Sequence, residues 1–180
     1  MARFQEIETD RLFLRRLETS DWEMVSYLRS DSEVNKFISR PGAGSKAEAL
    51  EFISKITGGS NGQESYYWVL TEKGSDTMIG SICLWNLSED GATAEVGYDL
   101  SPQFQNKGFM SESIRAILNF GFNELNLDAI EAYTHEKNES SVELLKRNRF
   151  ILLKDRKDER NANNIIFRIE KSSRLPNPEL

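Results

Sequence analysis

Apolar positions change period most sharply between residues 93 and 125. Over Thr93–Leu100 the alternation is two: Val96, Tyr98 and Leu100 share one face, and Glu95, Gly97 and Asp99 the other. A glycine-bearing turn follows, Gln105-Asn106-Lys107-Gly108-Phe109-Met110. Beyond it Ile114, Ile117, Leu118, Gly121, Phe122 and Leu125 recur at helical spacing and make a one-sided stripe. The pattern predicts strand, turn and helix. A helix that opens straight from such a turn presents unpaired N–H groups and the positive end of its dipole together, which suits an anion. The turn carries no Gly-Lys-Ser/Thr and no three spaced glycines, so it is neither a nucleotide triphosphate loop nor a dinucleotide fingerprint. An ordinary strand–helix connection is the plain alternative.

Around this unit the chain alternates strand and helix signals. Residues 11–17 read as a first strand. Ser20 or Asp21 can cap a helix bearing Trp22, Val25 and Leu28. Residues 31–40 read as a short helix or turn, and Pro41-Gly42-Ala43-Gly44 is a break. Ser45-Lys46-Ala47-Glu48 resembles a capping box for a helix to about residue 56, with Ala49, Phe52, Ile53 and Ile56 inward. After a polar, glycine-rich loop at 57–64, strands at 66–71, 77–86 and 93–100 form an antiparallel meander. Residues 128–134 make the next strand and 140–147 a short helix. Segments 150–154 and 165–169 make a final antiparallel pair joined by a charged loop. The expectation is one α+β domain over residues 1–180, with 171–180 a frayed tail.

Composition narrows the class. The 180 residues suit one domain, no apolar run is long enough to span a membrane, and the first residues lack an apolar signal region, so a cytoplasmic location is expected. A single cysteine, Cys83, excludes an internal disulfide; it falls among Ile82, Leu84 and Trp85 and is expected to be buried and inert. No His/Cys/Asp cluster has metal-ligand spacing, so no metal is expected. The net charge of −6 argues against nucleic acid as a partner and favours a cationic one.

Four patches carry a family resemblance: Thr9-Asp10-Arg11-Leu12-Phe13-Leu14-Arg15, Ala94-Glu95-Val96-Gly97-Tyr98, Gln105-x-x-Gly108-Phe109, and His135-x-x-Asn138-x-x-Ser141-x-x-Leu144-Leu145. Their order and spacing, over roughly residues 7–170, resemble the GNAT superfamily of acyl-CoA-dependent N-acyltransferases, and most of all its RimJ/RimL-type branch. The resemblance implies a mixed, mostly antiparallel sheet of about six or seven strands, splayed between the fourth and fifth and flanked by about four helices. It implies acetyl-CoA as cosubstrate and an amine as acceptor, by likeness the N-terminal α-amine of a protein, a ribosomal one included. Oligomeric state, monomer or homodimer, stays open.

Acyl transfer to an amine needs a proton acceptor, a donor set for the oxyanion and a proton for the departing thiolate. Glu95 is the candidate base, its plain alternative being a strand glutamate paired with Lys or Arg. The resemblance makes Ser141 a candidate donor to the thiolate, and Asn138 a coenzyme A contact; an N-cap with its N3 residue is the structural alternative. Tyr98, expected on the core side, and Tyr133 are rival donors. Main-chain groups of Tyr98, Asp99 and Leu100 are expected to pair with the pantetheine arm, and Gln105, Asn106, Lys107, Gly108, Phe109, Met110 and Ser111 to wrap the diphosphate. His135 is not assigned a catalytic role.

Two positions depart from the family pattern. Met110 replaces a small residue of the turn and can crowd the diphosphate or point away. Asn148-Arg149-Phe150 replaces Leu-Gly-Phe, so Asn148 is expected to take the left-handed cap. Two other functions compete: acetylation of a small amine (polyamine, aminoglycoside or amino-acid-like), and an acyl-CoA-binding regulatory module without turnover.

Overall fold

A computed structural model describes residues 4–58 and 65–173. Its elements, in chain order, are β1 (Ile7–Glu8), β2 (Leu12–Arg15), α1 (Trp22–Ser30), α2 (Lys46–Thr57), β3 (Tyr66–Glu72), β4 (Gly80–Trp85) and β5 (Thr93–Leu100), then α3 (Phe109–Asn123), β6 (Ala129–His135), α4 (Glu139–Arg147), β7 (Ile151–Leu152) and β8 (Asn164–Glu170). One sheet runs β1-β2-β3-β4-β5-β6-β8-β7. Every neighbouring pair is antiparallel except β5 and β6, which the α3 crossover makes parallel. The fold is the expected α+β arrangement with four helices, and its eight strands exceed the six or seven read from the sequence. The strand outside the expected spans, β1, is only two residues long, too short for a period to show, and the strand expected at 150–154 is shortened to the two residues of β7.

Two cores flank the sheet. Val96, Leu100 and Ala94 of β5, with Trp68 and Leu70 of β3, pack beneath α3, whose Ile114, Ile117, Leu118 and Phe122 face inward. On the opposite face Val69 meets Val25, Leu28, Ala49 and Ile53 of α1 and α2. β3 is therefore buried on both sides, which explains its unbroken apolar run.

Local differences have local causes. Ser45 and Glu48 do form the capping box of α2. At α1 Asp21 is the N-cap, but its carboxylate instead accepts from the Glu18 amide and pairs with Arg15 (2.7 Å), so Ser20 and Asp21 give the helix no side-chain cap. The second meander strand starts at Gly80 rather than 77, and residues 31–40 form a turn without a helix. α3 ends at Asn123, leaving Leu125 half-buried outside it. Gly121 lets α3 approach the sheet: a Cβ there would lie 2.7 Å from Ile130 Cδ1. The loop at 59–64 and the tail from 174 lie outside the described residues. No helix among the described residues is long and apolar enough to cross a membrane.

Phe120, which falls off the predicted stripe, is buried edge-on against Trp68 and Tyr66, with ring centroids 5.1 and 5.3 Å away. Replacing it by Ala leaves a cavity between α3 and β3, so Phe120→Ala is expected to lower unfolding free energy by about 3–5 kcal/mol, measured by urea denaturation.

Candidate active site

The turn before α3 is built to aim its main chain outward. Gly108 takes a left-handed conformation (φ 82°) and serves as N-cap without a side-chain bond. The first helical bond runs from the Glu112 amide to the Gly108 carbonyl, 3.1 Å. The amides of Phe109, Met110 and Ser111 precede that bond, and, like those of Asn106, Lys107 and Gly108, they have no backbone partner among the described residues. Behind the turn stands Arg11. Its Nη1 donates to the Lys107 carbonyl (2.9 Å) and its guanidinium lies 4.7 Å from the centre of the Phe109 ring. Glu112 holds Arg11 in turn, accepting from the Thr9 hydroxyl (2.6 Å), the Arg11 amide (2.9 Å) and Arg11 Nε (2.8 Å). Burial alone would raise the Glu112 pKa, but the Thr9 and Arg11 donors together bring it below the usual carboxylate value. Thr9-Asp10-Arg11 thus acts on the turn from the far end of the sequence.

Several residues expected in this turn have other engagements. Gln105 donates its amide to Pro102 and its side chain to the Leu100 carbonyl, so it shapes the turn and pins the end of β5. The Lys107 ammonium rests 5.1 Å from the Phe104 ring and the residue does not line the cleft. Met110 is buried in the core cluster beneath α3 and also borders the cleft at the turn. The Ser111 side chain bonds Asn148, whose amide also donates to the Leu144 carbonyl. Asn148 itself is not left-handed; Arg149 is (φ 67°), because Asn148 is held by these bonds.

From the turn a cleft of about 680 Å³ runs past Asn106, Gly108 and Met110 to Asn138 and Ser141, with Lys36 and Arg147 among its basic walls. A second cleft, of about 950 Å³, lies along the face bearing Glu95 and Asp99. Phe37, Ile38, Tyr98, Asp99, Asn138 and Ser141 line both, so the two meet there. They meet because β5 and β6 part: their pairing ends at Glu95 opposite Glu131. Ser101 donates to Ile79, its partner across the β4–β5 ladder, so alternation turns the main-chain groups of Val96, Tyr98 and Leu100 toward the gap.

At the junction the Tyr98 hydroxyl and Ser141 Oγ are 2.8 Å apart, and Asn138 Oδ1 accepts from the Ser141 amide at 3.2 Å as N-cap of α4. The capping reading and the site reading therefore coincide in the same two residues. Burial pushes the Tyr98 hydroxyl up to about 12, so it stays protonated at neutral pH. Tyr133, the other rival, donates to Glu131 and accepts from Arg156, which leaves it committed elsewhere.

The carboxylates of the second cleft are all partnered. Glu95 Oε1 accepts from Asn86 and from Arg160 (2.8 Å), and no bond among the described residues uses Oε2. Asp99 accepts from Ser81 (2.6 Å) and Arg40 (2.8 Å), and Asp158 from Arg160 and Asn164. The net acidity of the chain is thus cancelled locally. Cys83 is half-buried at the cleft rather than within a core; burial pushes its thiol up to about 12, which keeps it protonated. The His135 ring lies tilted against Phe37, with centroids 5.4 Å apart, and its Nδ1 accepts from the Lys137 amide (3.1 Å). Arg160, Arg40 and Asn86 went unnoticed in the sequence, since nothing in a charged loop or a strand end marks which arginine crosses to which strand.

Comparison with known proteins bears on the family and the fold. A model of the acetyltransferase (GNAT) domain matches residues 11–151. YnaD of Bacillus subtilis strain 168, described as an uncharacterized N-acetyltransferase, is 35% identical over 141 residues, covering 78% of this chain and 79% of YnaD. The crystal structure of a GNAT-family acetyltransferase from Bacillus anthracis superimposes with a TM-score of 0.78 at 25% identity, covering 93% of this chain and 99% of that one. RimL, a ribosomal L7/L12 α-N-protein acetyltransferase in complex with coenzyme A, shares the fold with a TM-score of 0.76 at 16% identity, covering 92% and 98%.

Glu112→Gln removes the charge that holds Arg11 against the turn and should cost about 1–2 kcal/mol at pH 7, after allowing for the exposure of Arg11. Because the folded Glu112 pKa lies below its ordinary 4.5, this stability is present above that value and is lost as pH falls through the folded one. Denaturation curves of both proteins from pH 7 down to acid should therefore converge.

Proposed function

Because the chain belongs to the GNAT family of acetyltransferases, we propose that it moves the acetyl group of acetyl-CoA onto a primary amine by direct attack in a ternary complex. The observation that carries this reading is the meeting of two clefts at Tyr98 and Ser141, with outward-facing amides at the far end of one of them. The amides of Asn106, Gly108, Phe109, Met110 and Ser111 suit a diphosphate, aided by Lys36 and Arg147, and the gap edge of β5 at Tyr98–Leu100 suits the amides of a pantetheine arm. Acetyl-CoA, when bound, supplies the thioester.

The chain's own groups then divide the work. Glu95 Oε2 takes the proton of the incoming amine, directly or through water, while Arg160 and Asn86 fix the carboxylate through Oε1. The Tyr98 amide faces the gap where the oxyanion develops. Ser141, bonded to the protonated Tyr98 hydroxyl, hands a proton to the leaving sulfur. A covalent acyl-enzyme is disfavoured because the Cys83 thiol stays protonated.

The acceptor proposed first is the α-amine of a protein N-terminus, with ribosomal proteins among the candidates, as the activity of RimL suggests for a protein of this fold. A small amine is the second reading, favoured by the walling of the acceptor cleft by Arg29, Phe52 and Ile56 of α1 and α2.

Free-thiol release from acetyl-CoA, screened against peptides and small amines, tests the reaction; coenzyme binding with no release from any amine would leave only a regulatory module. In that assay Glu95→Gln is expected to lower kcat about 100-fold or more with little change in acetyl-CoA affinity. Full activity of that variant across pH 6–9 would remove Glu95 as base. Ser141→Ala and Tyr98→Phe should each reduce kcat, and the double variant should lose little more than the worse single one, since both groups serve one relay.

A further inference from the structure

Among the cations along the acceptor cleft, Arg40, Arg160 and Lys55 each hold a carboxylate: Asp99, Glu95 with Asp158, and Glu51. Arg29 is different. It sits in the last turn of α1, lies 4.0 Å from the centre of the Phe52 ring, and donates Nη2 to the Pro41 carbonyl (2.9 Å). It has no carboxylate partner among the described residues, and its Nε is buried with no hydrogen-bond partner. Asp99, the carboxylate whose charge acts on Arg29, is already bonded to Arg40 and Ser81. Burial, with Arg40 close by, draws the Arg29 pKa below its ordinary value, as expected of a charge in want of a counterion. An unsatisfied buried guanidinium donor is costly, and because Arg29 lines the cleft a carboxylate there would offset that cost through charge-assisted bonds to the outer nitrogens of the guanidinium.

We propose that the acceptor carries a carboxylate on the same molecule as its amine, and that Arg29 binds it. This rests on the transferase reading and names its substrate class more closely. Arg29 lies on the α1–α2 wall of the cleft whose floor is the β5 face. Glu95 and Arg29 line the same cleft, so one acceptor molecule can present its amine to the first and a carboxylate to the second. Two sources share that chemistry: an amino-acid-like acceptor, or a peptide whose N-terminal residue is followed by Asp or Glu. Arg29 is then a specificity residue that contacts substrate away from the reacting atoms.

The test uses matched pairs differing only in a carboxylate: free amino acids against their amides, and short peptides with Glu against Gln at the second position. Binding is measured by calorimetry on the full chain saturated with coenzyme A, and turnover by thiol release with acetyl-CoA. The acid member of at least one pair should bind about tenfold or more tighter, the effect of one charge-assisted hydrogen bond, and the pair concerned identifies the source. Arg29→Gln should bring that ratio close to one, and Arg29→Lys should restore part of it. A merely structural Arg29, anchoring Pro41 and covering Phe52, would weaken both members of a pair equally, which overturns the proposal. Equal binding of acid and amide by the wild type overturns it as well. Acid-selective binding without thiol release would instead refute the transferase reading while upholding the anion site.

Discussion

β5 and β6 pair for three residues and then separate, and the separation starts where two buried carboxylates face each other across the last rung. Glu95 and Glu131 could not sit side by side there without compensation, since like charges on adjacent strands repel. Arg160 from the loop before β8 takes Glu95, while Arg156 and Arg168 take Glu131. Burial would raise the Glu131 pKa, yet these guanidiniums and the Tyr133 hydroxyl hold it below the usual value, so the acid remains charged. Beyond this rung no further pairing closes the sheet. The free edge of β5, the meeting of the two clefts and the exposure of Tyr98 to Ser141 are all consequences of that one opening.

A parted pair of strands is useful only if the chain on either side is held rigid. On the β5 side Gln105 ties off the Leu100 carbonyl, and Arg11 with Glu112 braces the turn against β2. On the β6 side Asn138 caps α4, and Asn148 closes the other end of that helix onto Ser111 of α3. Each brace satisfies polar groups that would otherwise be stranded, and each leaves the outward amides of the turn without an internal partner.

The net charge of the chain does not carry over to the cleft that bears Glu95 and Asp99. The chain carries an excess of acids, but the cleft draws in arginines from α1, the 31–40 turn and the loop before β8. Every carboxylate there meets a cation, and Arg29 is left over. Local electrostatics follow which side chains converge, and convergence is a property of the fold.

The strand Thr93–Leu100, the glycine-bearing turn, the helix behind it and the capping box at Ser45 were readable in the residues alone, because each depends on neighbours within a few positions. So was the α+β class, through the alternation of strand and helix periods. Glu95, Tyr98 and Ser141 could be named one by one, but not that the last two lie in contact, nor that Glu95 is met by Arg160, 65 positions away. Likewise a local pattern assigned the left-handed cap to Asn148, whereas bonds to Ser111 and Leu144 moved it to Arg149. Sequence period reports which face of an element is apolar; it carries nothing about which distant polar atoms that face will meet. Those pairings were decided only when the sheet assembled, since burial then obliged each charge to find a partner within reach.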